Sequence, residues 1–64
     1  MFVHHITLPA YAGGEYSVIF LTGESVAVNT FVRVWEKEGY TQDTVSIEPD
    51  NNVTHAVLSK YTDL

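Results

Sequence analysis

Apolar positions along this chain gather into five runs separated by turn chemistry. Residues 2–8 (FVHHITL) alternate imperfectly, with Phe2, Ile6 and Leu8 on one side and Val3, His5 and Thr7 on the other, the period of a strand. Pro9 stops that run, and residues 9–14 (PAYAGG) read as a connection, because paired glycines permit positive φ. Residues 15–21 (EYSVIFL) form the strongest strand candidate. Their core of Val18, Ile19, Phe20 and Leu21 is apolar on both faces, as in a central strand covered on one side by a helix.

The decisive stretch is residues 25–40 (SVAVNTFVRVWEKEGY). Val28, Phe31, Val32 and Trp35 fall at i, i+3, i+4 and i+7, the stripe of a helix, with Asn29, Arg33, Glu36 and Lys37 outward. Residues 22–25 (TGES) offer N-caps, and acidic Glu24 complements the start of a helix dipole. Gly39 is placed to end the helix in the left-handed conformation. The same residues carry a rival pattern. Val26, Val28, Thr30, Val32 and Val34 are β-branched at spacing two, which suits a strand. The polar EKEG terminus, the length, and flanking strands that need a covering layer favour the helix.

Beyond Gly39, residues 44–48 (TVSIE) alternate, residues 49–52 (PDNN) supply a turn, and residues 53–59 (VTHAVLS) resume an apolar run. The predicted fold is therefore α+β: a four-stranded antiparallel sheet in the order ββαββ, with one helix packed on one face. The alternative is an all-β fold with residues 25–36 as a strand. Residues 60–64 (KYTDL) read as a frayed or edge-covering tail.

Size sharpens this picture. Sixty-four residues make one small domain, and a chain this short buries only about 60% of its unfolded surface. Cysteine is absent, so disulfides and thiolate metal sites are excluded together. A tight apolar core or a second subunit must supply the stability. Eight acids against three bases give a formal charge of −5. Arg33, Lys37 and Lys60 cannot form the basic stripe that nucleic acid or an anionic membrane requires, so neither is an expected partner. A basic surface on another protein is. The opening MFVHHITLPAYAG has no basic segment followed by a long apolar run, so no secretory leader is expected and the expected location is cytoplasmic.

Candidate chemistry is sparse. His4 and His5 are adjacent and point to opposite faces of a strand, so they cannot share an ion. His55 could oppose one of them only if the first and last strands pair. Residues 12–15 (AGGE) lack the lysine and hydroxyl of a phosphate loop, TGES at 22–25 matches a four-residue motif of much larger membrane pumps by chance, and the Asn52-Val53-Thr54 sequon reads as turn chemistry. No nucleophile context appears, and no catalytic residue, metal or cofactor is expected.

Aromatic residues carry more information. Phe20, Phe31 and Trp35 are expected in the core. Tyr11 in a loop, Tyr40 beside the helix end and Tyr61 in the tail are candidate interface anchors, with Glu36, Glu38 and Asp43 as a modest acidic patch around the helix end. Open sheet edges are a second candidate. Neither residues 2–8 nor the last strand carries the lysines or prolines that blunt an edge. If the last strand is exposed, Thr54→Pro with Ala56→Pro should block association there.

In element order from residue 2 to residue 59 the chain resembles small bacteriophage-encoded proteins that bind and disable a host machine. Several of these are short, acidic, cysteine-poor domains without catalytic residues. The resemblance implies a non-enzymatic protein-binding module, an inhibitor or adaptor, and assigns no individual residue. The alternative function is a self-assembling subunit, a homo-oligomer joined through sheet edges.

Overall fold

Period-two alternation, a helical stripe and two glycine-rich connections build one sheet and one helix. The computed structural model describes residues 1–48 and 50–63. Its elements are β1 (Phe2–Pro9), β2 (Glu15–Glu24), α1 (Ser25–Lys37), β3 (Thr41–Glu48) and β4 (Val53–Thr62). The four strands form one antiparallel sheet in the order β1-β2-β4-β3. Strands β2 and β3 run the same way. Helix α1 carries the chain from one to the other, and β4 inserts between them, a split β-α-β arrangement.

The competition between helix and strand over the middle segment is resolved as a helix. Val28 and Val32 are buried against the sheet and Trp35 is partly buried beside them. Phe31 departs from the expected stripe and remains 41% exposed. The helix ends as Gly39 predicts, at φ +98°. The Gly39 N–H donates to the Glu36 carbonyl at 3.0 Å and the Tyr40 N–H to the Trp35 carbonyl at 3.1 Å, the paired bonds of a Schellman motif. The apolar contact that accompanies this motif is the Trp35–Tyr40 ring pair, edge to face at 5.4 Å. At the other end, Glu24 occupies the N-cap position without a side-chain capping bond. The Ser25 hydroxyl instead ties the helix start to β4, 2.5 Å from Thr54 Oγ1, and donates to Asn52 Oδ1 at 2.9 Å. Thr54 is 1% exposed, so this bond satisfies the hydroxyl of the only buried polar residue among those described.

The core lies between helix and sheet. It consists of Ile19 and Leu21 from β2, Ala56 and Leu58 from β4, and Val28 and Val32 from α1. Phe20 is not in it. Alternation that turns Ile19 and Leu21 toward the helix turns Phe20 to the opposite face. Two expectations about the C-terminal segment are corrected. Residues 60–62 are not a tail but the end of β4. That strand is paired on both sides, so the free edges belong to β1 and β3 and the Thr54/Ala56 pair lies inside the fold. Of the expected 49–52 turn, residues 50–52 form a turn with Asn52 at φ +56°. Pro49, and Leu64 of the expected tail, lie outside the described residues.

Candidate interaction face

Helix α1 packs on one side of β2 and β4 and reaches the edge of β3, whose residues all stay exposed, and among the described residues no element covers the other side of the sheet. Strand register shows what the uncovered side presents. Phe2, His4, Ile6 and Leu8 of β1 lie opposite Thr22, Phe20, Val18 and Tyr16 of β2. The same β2 residues lie opposite His55, Val57, Ser59 and Tyr61 of β4. These rows alternate with the buried core residues, so they share the helix-free face. Phe2 is 61% exposed, Leu8 48%, Tyr16 and Tyr61 each 46%, and Phe20 37%. Apolar and aromatic side chains thus run continuously across three strands.

The aromatic groups on this face hold one another. His4 stacks on Phe2 at 6.2 Å and meets Phe20 at 6.1 Å. Tyr16 and Tyr61 lie 5.2 Å apart on neighbouring strands. The Tyr61 hydroxyl donates to the Gly13 carbonyl at 2.9 Å, which fixes the β1–β2 turn over the end of the sheet. A side chain at Gly14 would meet Tyr61 Oη and the Thr62 carbonyl at 2.6 Å, and Gly14 has φ +82°, so the turn admits glycine there for two reasons.

Charge avoids the centre of this face. The chain's three bases stand near the helix C-terminus. Arg33 donates to Glu36 at 3.3 Å, Lys37 lies in the last turn, and Lys60 Nζ donates to the Glu38 carbonyl at 2.8 Å. With Glu36, Glu38 and Asp43 in the same stretch, that corner is balanced three against three. The other five acids, Glu15, Glu24, Glu48, Asp50 and Asp63, sit at strand ends or in turns, where they account for the formal −5. Across β1, β2 and β4 the open-face rows between the strand ends hold no Asp, Glu, Lys or Arg, and Glu48 of β3 reaches their margin at His55.

The sequence-derived interface residues scatter around the molecule. Tyr11 stands fully exposed at the β1–β2 turn. Tyr61 belongs to the open face. Tyr40 is half-buried on the helix side, where its hydroxyl is 2.5 Å from Ser17 Oγ and its ring lies under Lys60 Nζ at 5.8 Å. The Glu36 carboxylate pairs with Arg33, Glu38 accepts from Lys60 through its backbone carbonyl alone, and Asp43 sits at a bulge between Gln42 and Thr44 of β3. Phe2, Leu8, Tyr16, Val18 and Phe20 were not among the expected interface residues, although Val18 and Phe20 already signalled a strand apolar on both faces.

The histidines are dispersed as well. His4 and His5 occupy opposite faces, as their adjacency dictates. Strand β1 pairs with β2 and not with β4, so His55 opposes Thr22 instead of His4 or His5. No three His, Cys, Asp or Glu side chains converge among the described residues. Two hydrogen-bonded chains remain. On the helix side, His5 Nε2 lies 2.6 Å from Ser17 Oγ, which also contacts Tyr40. On the open face, His55 Nε2 lies 2.9 Å from Glu48 Oε1 and His55 Nδ1 3.1 Å from Thr22 Oγ1. With Nε2–H donating to the carboxylate, Nδ1 accepts from the threonine. The bonds from His55 and then Asn51 hold the Glu48 carboxyl below its ordinary range. Hydroxyl, imidazole and carboxylate also make up a nucleophilic triad. Here they cross adjacent strands of a surface, and the described residues enclose no pocket for a substrate. Their evident effect is to pin β3 to β4 and β4 to β2.

No helix among the described residues is long and apolar enough to cross a membrane. Comparison with protein-family models, with curated proteins and with solved structures gives no match.

Proposed function

We propose that this protein is a small non-enzymatic binding module that holds a second polypeptide against the helix-free face of its sheet. The supporting observation is the continuous aromatic and apolar surface of β1, β2 and β4 with its charges confined to the strand ends. Exposed apolar patches of this kind mark interaction sites, and tyrosine and phenylalanine are enriched in the cores of interfaces, tyrosine also at their energetic centres. A module of this type acts by occupying a surface, as an inhibitor or adaptor does. Tyr11, beyond the end of the face, and the acids at the strand ends would form its rim and govern approach.

The experiment is a tagged capture with three baits: the natural chain, Phe20→Lys, and Glu36→Lys with Glu38→Lys. A stoichiometric protein held by the first and third but not by a folded Phe20→Lys chain supports the open face. Loss confined to the Glu36/Glu38 variant moves the working surface to the helix end.

A further inference from the structure

We infer that the occupant of the open face is a second copy of this chain, joined face to face so that two sheets enclose a common core. The inference rests on the binding-module reading and names its partner. Three observations carry it.

The first is area. The three strands of the patch, spaced about 4.8 Å apart with residues rising about 3.3 Å, make a face of roughly 15 by 30 Å. With side-chain relief that is on the order of the 800 Å² per partner buried in a stable interface. Two such sheets pack about 10 Å apart with strands roughly 30° from parallel.

The second is self-compatibility. A two-fold interface sets the same patch against itself, so any unbalanced charge at its centre meets its own kind. Each copy carries −5, yet β1, β2 and β4 place no acid at the centre of the patch, and Glu48 reaches only its β3 margin, bonded to His55. The surface is therefore one that two acidic copies can share. A basic partner would find its complementary charge only at the rim.

The third is the state of β1. The helix does not cover it, and only Ile6 among its eight residues is even partly buried. A strand held by one ladder and a few ring contacts, His4 with Phe20 and His5 with Trp35, gains little from packing. A second sheet across Phe2, Ile6 and Leu8 would supply the missing layer, in a chain without cysteine whose described residues bury six apolar side chains with Trp35 and Tyr40 beside them.

The test is the mass of the full chain in solution by light scattering or sedimentation over a hundredfold dilution series. The expected result is twice 7.2 kDa at the concentrated end, with dissociation on dilution and a melting temperature that rises with concentration. Phe20→Lys should weaken association by on the order of a thousandfold, because the two-fold repeats each substitution. Added salt should tighten the dimer by screening two like-charged copies. A photo-reactive phenylalanine analogue in place of Phe20 should give covalent dimer, whereas the same analogue in place of Phe31 on the helix should not. This arm needs no disruptive variant and stands even if Phe20→Lys fails to fold. A monomer throughout the series overturns the inference. So does a dimer that survives in folded Phe20→Lys, which would be joined at the β1 or β3 edge, or one that salt dissociates. The binding-module reading falls separately, if neither a copy nor any other chain is lost on changing Phe20.

Discussion

Leu58→Ala tests whether the small helix–sheet core carries the fold of the single chain. Leu58 is fully buried at the centre of β4, opposite Ile19 on β2, in the cluster that includes Val28 and Val32 of the helix. Truncation removes three carbons, worth about 0.8 kcal/mol each in lost transfer energy. A cavity of roughly 60 Å³, at about 24 cal/mol per Å³, adds about 1.5 kcal/mol. The expected cost is about 4 kcal/mol, against a total of about 3–10 kcal/mol for a chain of this size. Leu8→Ala removes the same carbons from β1, where Leu8 is 48% exposed, and should cost less than about 1 kcal/mol in the monomer. Urea unfolding at low protein concentration, followed by circular dichroism, measures both, with an unchanged slope securing the comparison. If Leu58→Ala is unfolded in buffer, sucrose restores a measurable baseline. Equal costs at the two positions would refute the assignment of Leu58 to the core and Leu8 to an uncovered face.

Two further outcomes follow from single contacts. Gly39→Ala forces a side chain into φ +98° and places its Cβ 3.3 Å from Lys60 Cε, so it should cost about 1–2 kcal/mol and lower the melting temperature by about 4–8 °C per kcal/mol. Gly39→Asn should recover part of that loss, because asparagine tolerates the left-handed region. The Glu48 carboxyl is held below its ordinary value of 4.5 by His55 and Asn51. A lowered folded value means stability present above about 4.5 and lost as pH falls through the folded value. Thermal melts of the natural chain and Glu48→Gln should therefore differ near neutrality and converge in acid; a gap that does not close would remove Glu48 from the pH response.

Much of the architecture was legible because several local signals agree. The helix was the hardest element, for a specific reason. The helical stripe and the rival strand pattern share Val28 and Val32, and these are the two helix residues that the fold buries. Burial of apolar side chains could not separate the readings; the stop signal at Gly39 and the Trp35–Tyr40 contact do. Strand order was less legible, because pairing partners are not encoded in local periodicity. A clue lay in residues 53–59, where Ala56, Val57 and Leu58 are apolar on both faces, the mark of an inner strand. Strand β3 (TQDTVSIE), polar on one face, has the composition of an edge. Polar Lys60, Thr62 and Asp63 give residues 60–64 no strand signal of their own, yet the register places Tyr61 beside Tyr16. The open face became visible only with that register, since its residues come from three strands and from no single motif.

The division of labour between the two faces explains why a chain this small tolerates so much exposed apolar surface. The helix-side core is assembled from short side chains, mostly Val, Ile, Leu and Ala, while Phe2, Phe20, Tyr16 and Tyr61 lie on the open side. A chain selected only for monomer stability would place its largest apolar groups under the helix, where each buried aromatic contributes most. This one packs Trp35 and Tyr40 against the core but leaves those four outside, Phe2 and Phe20 on either side of His4 and Tyr16 beside Tyr61. The acids at the strand ends and in the turns ring this face and set two copies' charges at its margin. The arrangement suits the proposed pairing with another sheet: Leu58 and its neighbours form the core of the single chain, and the Phe20 row is the surface whose substitution tests the partner.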